Sequence, residues 1–121
     1  MSSSPSPEIQ IVSAGNVTPV ILGDTGAMRS KRLIRRDMGS ERVSLNFTVT
    51  EETTEEYESD YPEHDELIFI VSGVGEIEWE GSEATRVSAG MAIFVPQGCG
   101  YRYRVVEGPQ EAVIVFGPAY S

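Results

Sequence analysis

The sequence predicts an all-β domain closed into a barrel or jelly roll, and three observations carry that expectation. No long 3.6-residue periodicity runs through the chain, so helices do not organise it. Short β-branched and aromatic runs recur instead, separated by Gly, Pro and Asp turn signals. Several runs alternate strictly between apolar and polar residues, the pattern of a sheet with one buried face and one face in water. About ten short strands in one domain leave exposed edges unless the sheet closes or doubles on itself.

In chain order, strands are expected at 9–13, 19–22, 31–36, 43–49, 66–72, 75–80, 84–87, 91–95, 101–106 and 112–117. In the fourth, Val43, Leu45, Phe47 and Val49 share one face, and Ser44, Asn46, Thr48 and Thr50 the other. Ile77 and Trp79 oppose Glu76, Glu78 and Glu80, and Tyr101, Tyr103 and Val105 oppose Arg102, Arg104 and Val106. The run Leu67-Ile68-Phe69-Ile70-Val71 is apolar on both faces. It therefore needs cover twice, from the barrel interior and from a second layer, which in a chain this small points to another subunit. A homodimer is expected, burying Leu67, Phe69 and Val71 or exchanging N-terminal strands.

The 121 residues fit one domain, taken as 9–121 behind a flexible tail at 1–8, and 40% hydrophobic residues fill one small core. The first residues carry neither the basic nor the apolar segment of a secretory signal, and no apolar run is of membrane-spanning length. One cysteine, Cys99, excludes an intrachain disulfide, and a reducing cytoplasm is the default location. A net charge of −10 argues against nucleic acid as a partner. Residues 51–66 hold nine of the nineteen acids and no Lys or Arg, and read as a solvated loop. Residues 29–36 hold five of the nine bases. These read as a solvated strand face, or as a partner for the acidic run of a second subunit, rather than as an anion site.

One stretch carries a motif. Gly90 is followed, after five intervening residues, by Pro96, then Gly98 and Tyr101, a frame G-x5-P-x-G-x2-Tyr that encodes turn, buried strand and tight reversal. Upstream, Glu66 opens an apolar strand that ends seven residues later at Gly73. Together the two frames, within residues 60–105, resemble the paired motifs of the cupin superfamily, G-x5-H-x-H-x3–4-E-x6-G and G-x5-P-x-G-x2-H-x3-N. At Asp65-Glu66 and Pro96-x-Gly98 the chain is also loosely similar to small cupins of the ethanolamine-utilization type. The resemblance implies a cupin-like double-stranded β-helix, a jelly-roll barrel related to the RmlC-like folds.

It also implies where metal ligands would stand. The two histidines of the first motif fall on Asp60 and Pro62, and that of the second on Tyr101; only Glu66 keeps a ligand's identity. The one histidine, His64, stands two residues before Glu66, outside the ligand positions. One histidine per chain cannot build a three-His site or a two-His-one-carboxylate triad. A degenerate site without bound metal is the preferred reading. The alternative is one divalent metal on Glu66, Asp60 and Tyr101, an oxygen-rich set suited to a hard ion.

Without metal, Glu66 at the head of an apolar strand is the candidate acid or base, because desolvation raises a carboxyl pKa. Tyr101 and Tyr103 share a face and are candidate hydrogen-bond donors. His64 is a candidate proton relay. Asp60, Tyr103 and Asn46 are candidate ligand-binding residues. Two functions follow: a lyase, isomerase or cyclase acting on a polar organic metabolite, or a non-catalytic module that binds or senses a small ligand.

Overall fold

The computed structural model describes residues 7–121. The first six residues of the expected tail lie outside the described residues. The rest is almost entirely β: β1 (Val20–Leu22), β2 (Met28–Ile34), β3 (Ser44–Thr50), β4 (Tyr57–Ser59), β5 (Asp65–Trp79), β6 (Thr85–Ser88), β7 (Ala92–Val95) and β8 (Tyr101–Gly117), with two 3-10 turns at Ala14–Asn16 and Arg36–Met38. All pairings are antiparallel, in the order β1-β2-β3-β8-β5-β6, with β4 added on β8 and β7 on β5. No helix of the described residues is long and apolar enough to cross a membrane.

Two long bent strands make the barrel. β5 and β8 pair along nearly their whole length, with register shifts between Ile70 and Gly75. The half of β5 at 66–69 pairs with β7 and the half of β8 at 110–116 with β3, which carries β2; the other halves pair with β6 and β4. The jelly roll expected from the sequence is therefore present, but four of its expected strands are two continuous ones. At the corner, Gly73 adopts φ +82, and Gln110 Cα and Pro109 O lie only 2.7 and 2.8 Å from where a Cβ would stand. Glycine there permits both the bend and the close approach of β8.

The apolar core lies between the halves and includes Ile68, Ile70, Ile77, Val87, Val95, Tyr103, Val105 and Ala112. Ile68 and Ile70 point inward, and Leu67, Phe69 and Val71 are exposed on the outer face, as the doubly apolar run demands.

Three expectations need correction. No strand forms at 9–13: Ile9 and Ile11 are 94% and 92% exposed, and Gln10 Nε2 donates to Met38 O at 2.9 Å. Local alternation there finds no ladder partner among the described residues, and a strand without one is not stable. β2 begins at Met28 rather than at 31 and stops at Ile34, because its register is set by β3, where Met28 faces Thr50 and Ser30 faces Thr48. The acidic run is not a free loop. Tyr57–Ser59 is a strand on β8, and Arg102 of β8 lies 3.4–4.0 Å from Glu56, Glu58 and Glu78. Glu55 accepts bonds from Asp24 N at 2.7 Å and from Thr25, which hold its carboxyl below the ordinary range. The basic stretch also meets its acid within the chain, Arg29 pairing with Glu51 at 2.9 Å.

Candidate functional site

The strand most legible by alternation, β3, faces the opposite way from a simple apolar core. Ser44, Asn46, Thr48 and Thr50 are buried, whereas Leu45, Phe47 and Val49 are half-buried on the outer side. The polar side is buried because it lines a cavity of about 370 Å³ inside the barrel. Asn46 and Thr48 come from β3, Ser30 and Arg32 from β2, Glu66 and Ile68 from β5, and Tyr101, Tyr103, Gln110 and Phe116 from β8. Tyr61 and Tyr120 close one end, packing edge-on to one another at 5.2 Å, and Tyr61 also meets Phe116 at 4.7 Å. The volume is that of a small-molecule pocket.

Glu66 stands in this wall, 2% exposed. Burial pushes its carboxyl up to about 7, and the Tyr101 hydroxyl, donating to Oε1 at 2.7 Å, works against that rise. The Tyr101 hydroxyl is driven well above the ordinary phenol range by its own burial and then by the Glu66 charge. Tyr103 donates to Gln110 Oε1 at 2.7 Å, and burial pushes it up to about 12. Both phenols thus stay protonated at neutral pH. Both hydroxyl hydrogens are already placed, one on Glu66 and one on Gln110. Replacing Tyr101 with Phe removes the only group that lowers the Glu66 pKa. The Glu66 midpoint is then expected above 7, read by a carboxyl-carbon NMR titration of the variant.

The other sequence candidates are distributed differently. Asn46 is 5% exposed and its Oδ1 has no partner. Asp60 is exposed and lines an outer groove with Trp79 and Arg102, beside Gly100. His64 does not line the lumen; its Nδ1 lies 2.8 Å from Pro118 O, and its ring packs edge-on against Tyr120. Glu66, Tyr101, Tyr103 and Asn46 are therefore brought together, and Asp60 and His64 are not. No three His, Cys, Asp or Glu side chains converge among the described residues. Glu66 lines the lumen and Asp60 the outer groove, so the set Glu66, Asp60 and Tyr101 is not gathered around one point.

Residues 47–116, more than half of the chain, match the family model of the Cupin domain. The chain is a cupin. The barrel is similar to several solved structures. KdgF from Halomonas sp. is 16% identical, with TM-score 0.76 over 90% of this chain and 94% of its own. Ectoine synthase from P. lautus is 25% identical, with TM-score 0.77 over 91% and 78%. A putative ethanolamine utilization protein Q from Salmonella typhimurium is 20% identical, with TM-score 0.62 over 76% and 70%. None of the curated proteins matches the chain significantly in sequence.

Sequence reasoning missed several lumen residues of this cupin. Arg32, Ser30 and Met28 share a face of β2, a signal hidden when the strand is started at 31. Gln110 lies where β8 was read as a gap between two strands. Tyr61, next to Pro62, carries no periodicity at all.

Proposed function

We propose that this cupin acts on a small polar organic metabolite as a lyase, isomerase or cyclase, with Glu66 as the acid–base group. One observation carries this reading: a carboxyl 2% exposed, held near 7, in the wall of a cavity large enough for a metabolite. A group poised there is part carboxylate and part carboxylic acid at neutral pH. It can take a proton from a carbon acidified by a neighbouring carbonyl and return it to another atom or to a leaving group. Tyr101 holds the Glu66 oxygen in place, and the aromatic end of Tyr61, Phe116 and Tyr120 limits access of water. The likeness to ectoine synthase, named for a small metabolite, supports the class of small ligand rather than a particular reaction. Glu66→Gln tests it: turnover falls while ligand binding persists.

The second reading, a non-catalytic binding module, is favoured by the commitment of both phenol hydrogens within the protein. It is the correct one if a bound metabolite is never turned over and Glu66→Gln leaves its affinity unchanged.

We assign the working form as a homodimer, and the lone free Cys99 fits a reducing cytoplasm. The support is a run of apolar rows across the outer sheet: Leu45, Val115, Leu67 and Phe94 in one, Phe47, Val113 and Phe69 in the next. Contiguous apolar patches of this kind mark interaction surfaces. Sedimentation should give twice the chain mass for the natural sequence and the chain mass for Phe69→Glu; a natural-sequence monomer at micromolar concentration contradicts the assignment.

A further inference from the structure

The lumen contains a cation that forms no ion pair among the described residues. Arg29, Arg35, Arg86, Arg102 and Arg104 each pair with carboxylates, and Arg36 and Arg42 are exposed to water. Arg32 is half-buried, lines the cavity, forms no ion pair among the described residues, and its Nε is buried with no partner. Glu66 forms no ion pair with it: its carboxylate accepts the Tyr101 hydroxyl instead. Arg32, Tyr61 and Glu66 line the same cavity.

The residue directly across the ladder from Arg32 is Asn46. Its Oδ1 is also buried without a partner, and the side chain is 5% exposed. Cross-strand partners stand about 5 Å apart at Cβ, so a single small ligand meets both. A half-buried guanidinium with no ion pair calls for a planar carboxylate. A buried amide oxygen calls for an O–H or N–H donor. Polar groups left unsatisfied in a buried site are costly, and a ligand that supplies both partners removes the cost.

We propose that the lumen takes a small carboxylic acid with a hydroxyl or amino group on the neighbouring carbon, the carboxylate bound by Arg32 and the neighbouring group donating to Asn46. The assignment rests on the reading of the lumen as the working site and supplies its substrate class. A ligand with its carboxylate on Arg32 lies in the same cavity that Glu66 borders. Arg32 anchors the ligand and Asn46 selects it; neither transfers a proton.

The test is calorimetric titration and thermal shift of the full chain with a fixed set of probes. These are 2-hydroxy acids (glycolate, lactate, glycerate, malate), the matching 2-amino acids, the matching amides and diols, and unsubstituted acids. At about 10 mM, well above a millimolar dissociation constant, substituted acids stabilise the protein. Amides, diols and unsubstituted acids bind at least about tenfold more weakly, each lacking one charged or polar contact. The hydroxy and amino series separate the two donors. Arg32→Gln weakens the acids by about 10- to 100-fold, and Arg32→Lys, which keeps charge and fold but not the fork, weakens them less. Asn46→Leu erases the preference for substituted over unsubstituted acids, a change that loss of folding cannot mimic. Diols binding as tightly as acids, no acid binding at all, or unchanged acid affinity in Arg32→Gln overturns the proposal. Glu66→Gln keeps the two claims apart: if it retains turnover while Arg32→Gln loses binding, the acid–base role fails and the carboxylate site stands.

Discussion

Replacing Glu66 with Gln is expected to lower turnover by roughly 10²–10⁴-fold while the barrel stays folded and still binds its ligand. Glutamine keeps the acceptor oxygen that Tyr101 meets at 2.7 Å and nearly the same volume, so the wall of the cavity survives. What it lacks is a proton that comes and goes near neutral pH. The same substitution has a signature in stability. In the unfolded chain Glu66 titrates near 4.5, and in the fold burial moves it to about 7. Between those values the native state holds more protons than the unfolded one, so this group's contribution falls as pH rises from 4.5 through 7. The loss is about 3 kcal/mol for a shift of this size. Glu66→Gln does not titrate. Its stability relative to the natural protein should therefore rise across that window, as read by urea unfolding at pH 5 and pH 8. Equal differences at the two pH values would contradict a buried, titrating carboxyl.

Gly73→Ala is expected to be the most damaging of the glycine changes in the two motifs, costing about 3 kcal/mol or more. Alanine at φ +82 costs about 1–2 kcal/mol by itself. The added Cβ then stands 2.7 Å from Gln110 Cα and 2.8 Å from Pro109 O, backbone that cannot swing aside as a side chain would. Overpacking of this kind adds about 1–3 kcal/mol. Because Gln110 accepts the Tyr103 hydroxyl, the strain reaches the lumen directly. Gly98→Ala is the control: φ is +79 but nothing lies within 4 Å of the new Cβ, so only the backbone cost of about 1–2 kcal/mol remains. Urea unfolding of the two variants separates bend from crowding, and equal losses would mean that crowding at Gly73 is relieved by a shift of β8.

The two glycine frames explain why so much of the fold was legible in the sequence. Each encodes a turn with local chemistry, and the strands around them alternate because one side of each is buried. What could not be read locally was decided by pairing. Ile9 and Ile11 have the pattern of a strand but no partner, whereas Tyr57–Ser59 lacks the pattern and is held by Tyr101–Tyr103 and Arg102. The site shows the same division. Glu66 and Tyr101 were visible because a charged residue at the head of an apolar strand and a tyrosine at a motif position are local anomalies. Arg32 and Gln110 were not, because a basic run and a gap between strands look like surface until the ladder turns one arginine and one glutamine inward. Polar alternation on β3 carried a further lesson: in a barrel with a ligand cavity, the polar face is the buried one.

Whether the lumen carboxyl donates and accepts protons at neutral pH is decided by a carboxyl-carbon NMR titration of Glu66, its signal assigned by its absence in Glu66→Gln. The expected result is a midpoint near 7 in the natural protein. A midpoint at the ordinary glutamate value of about 4.3 would show a solvated carboxyl and would contradict the account.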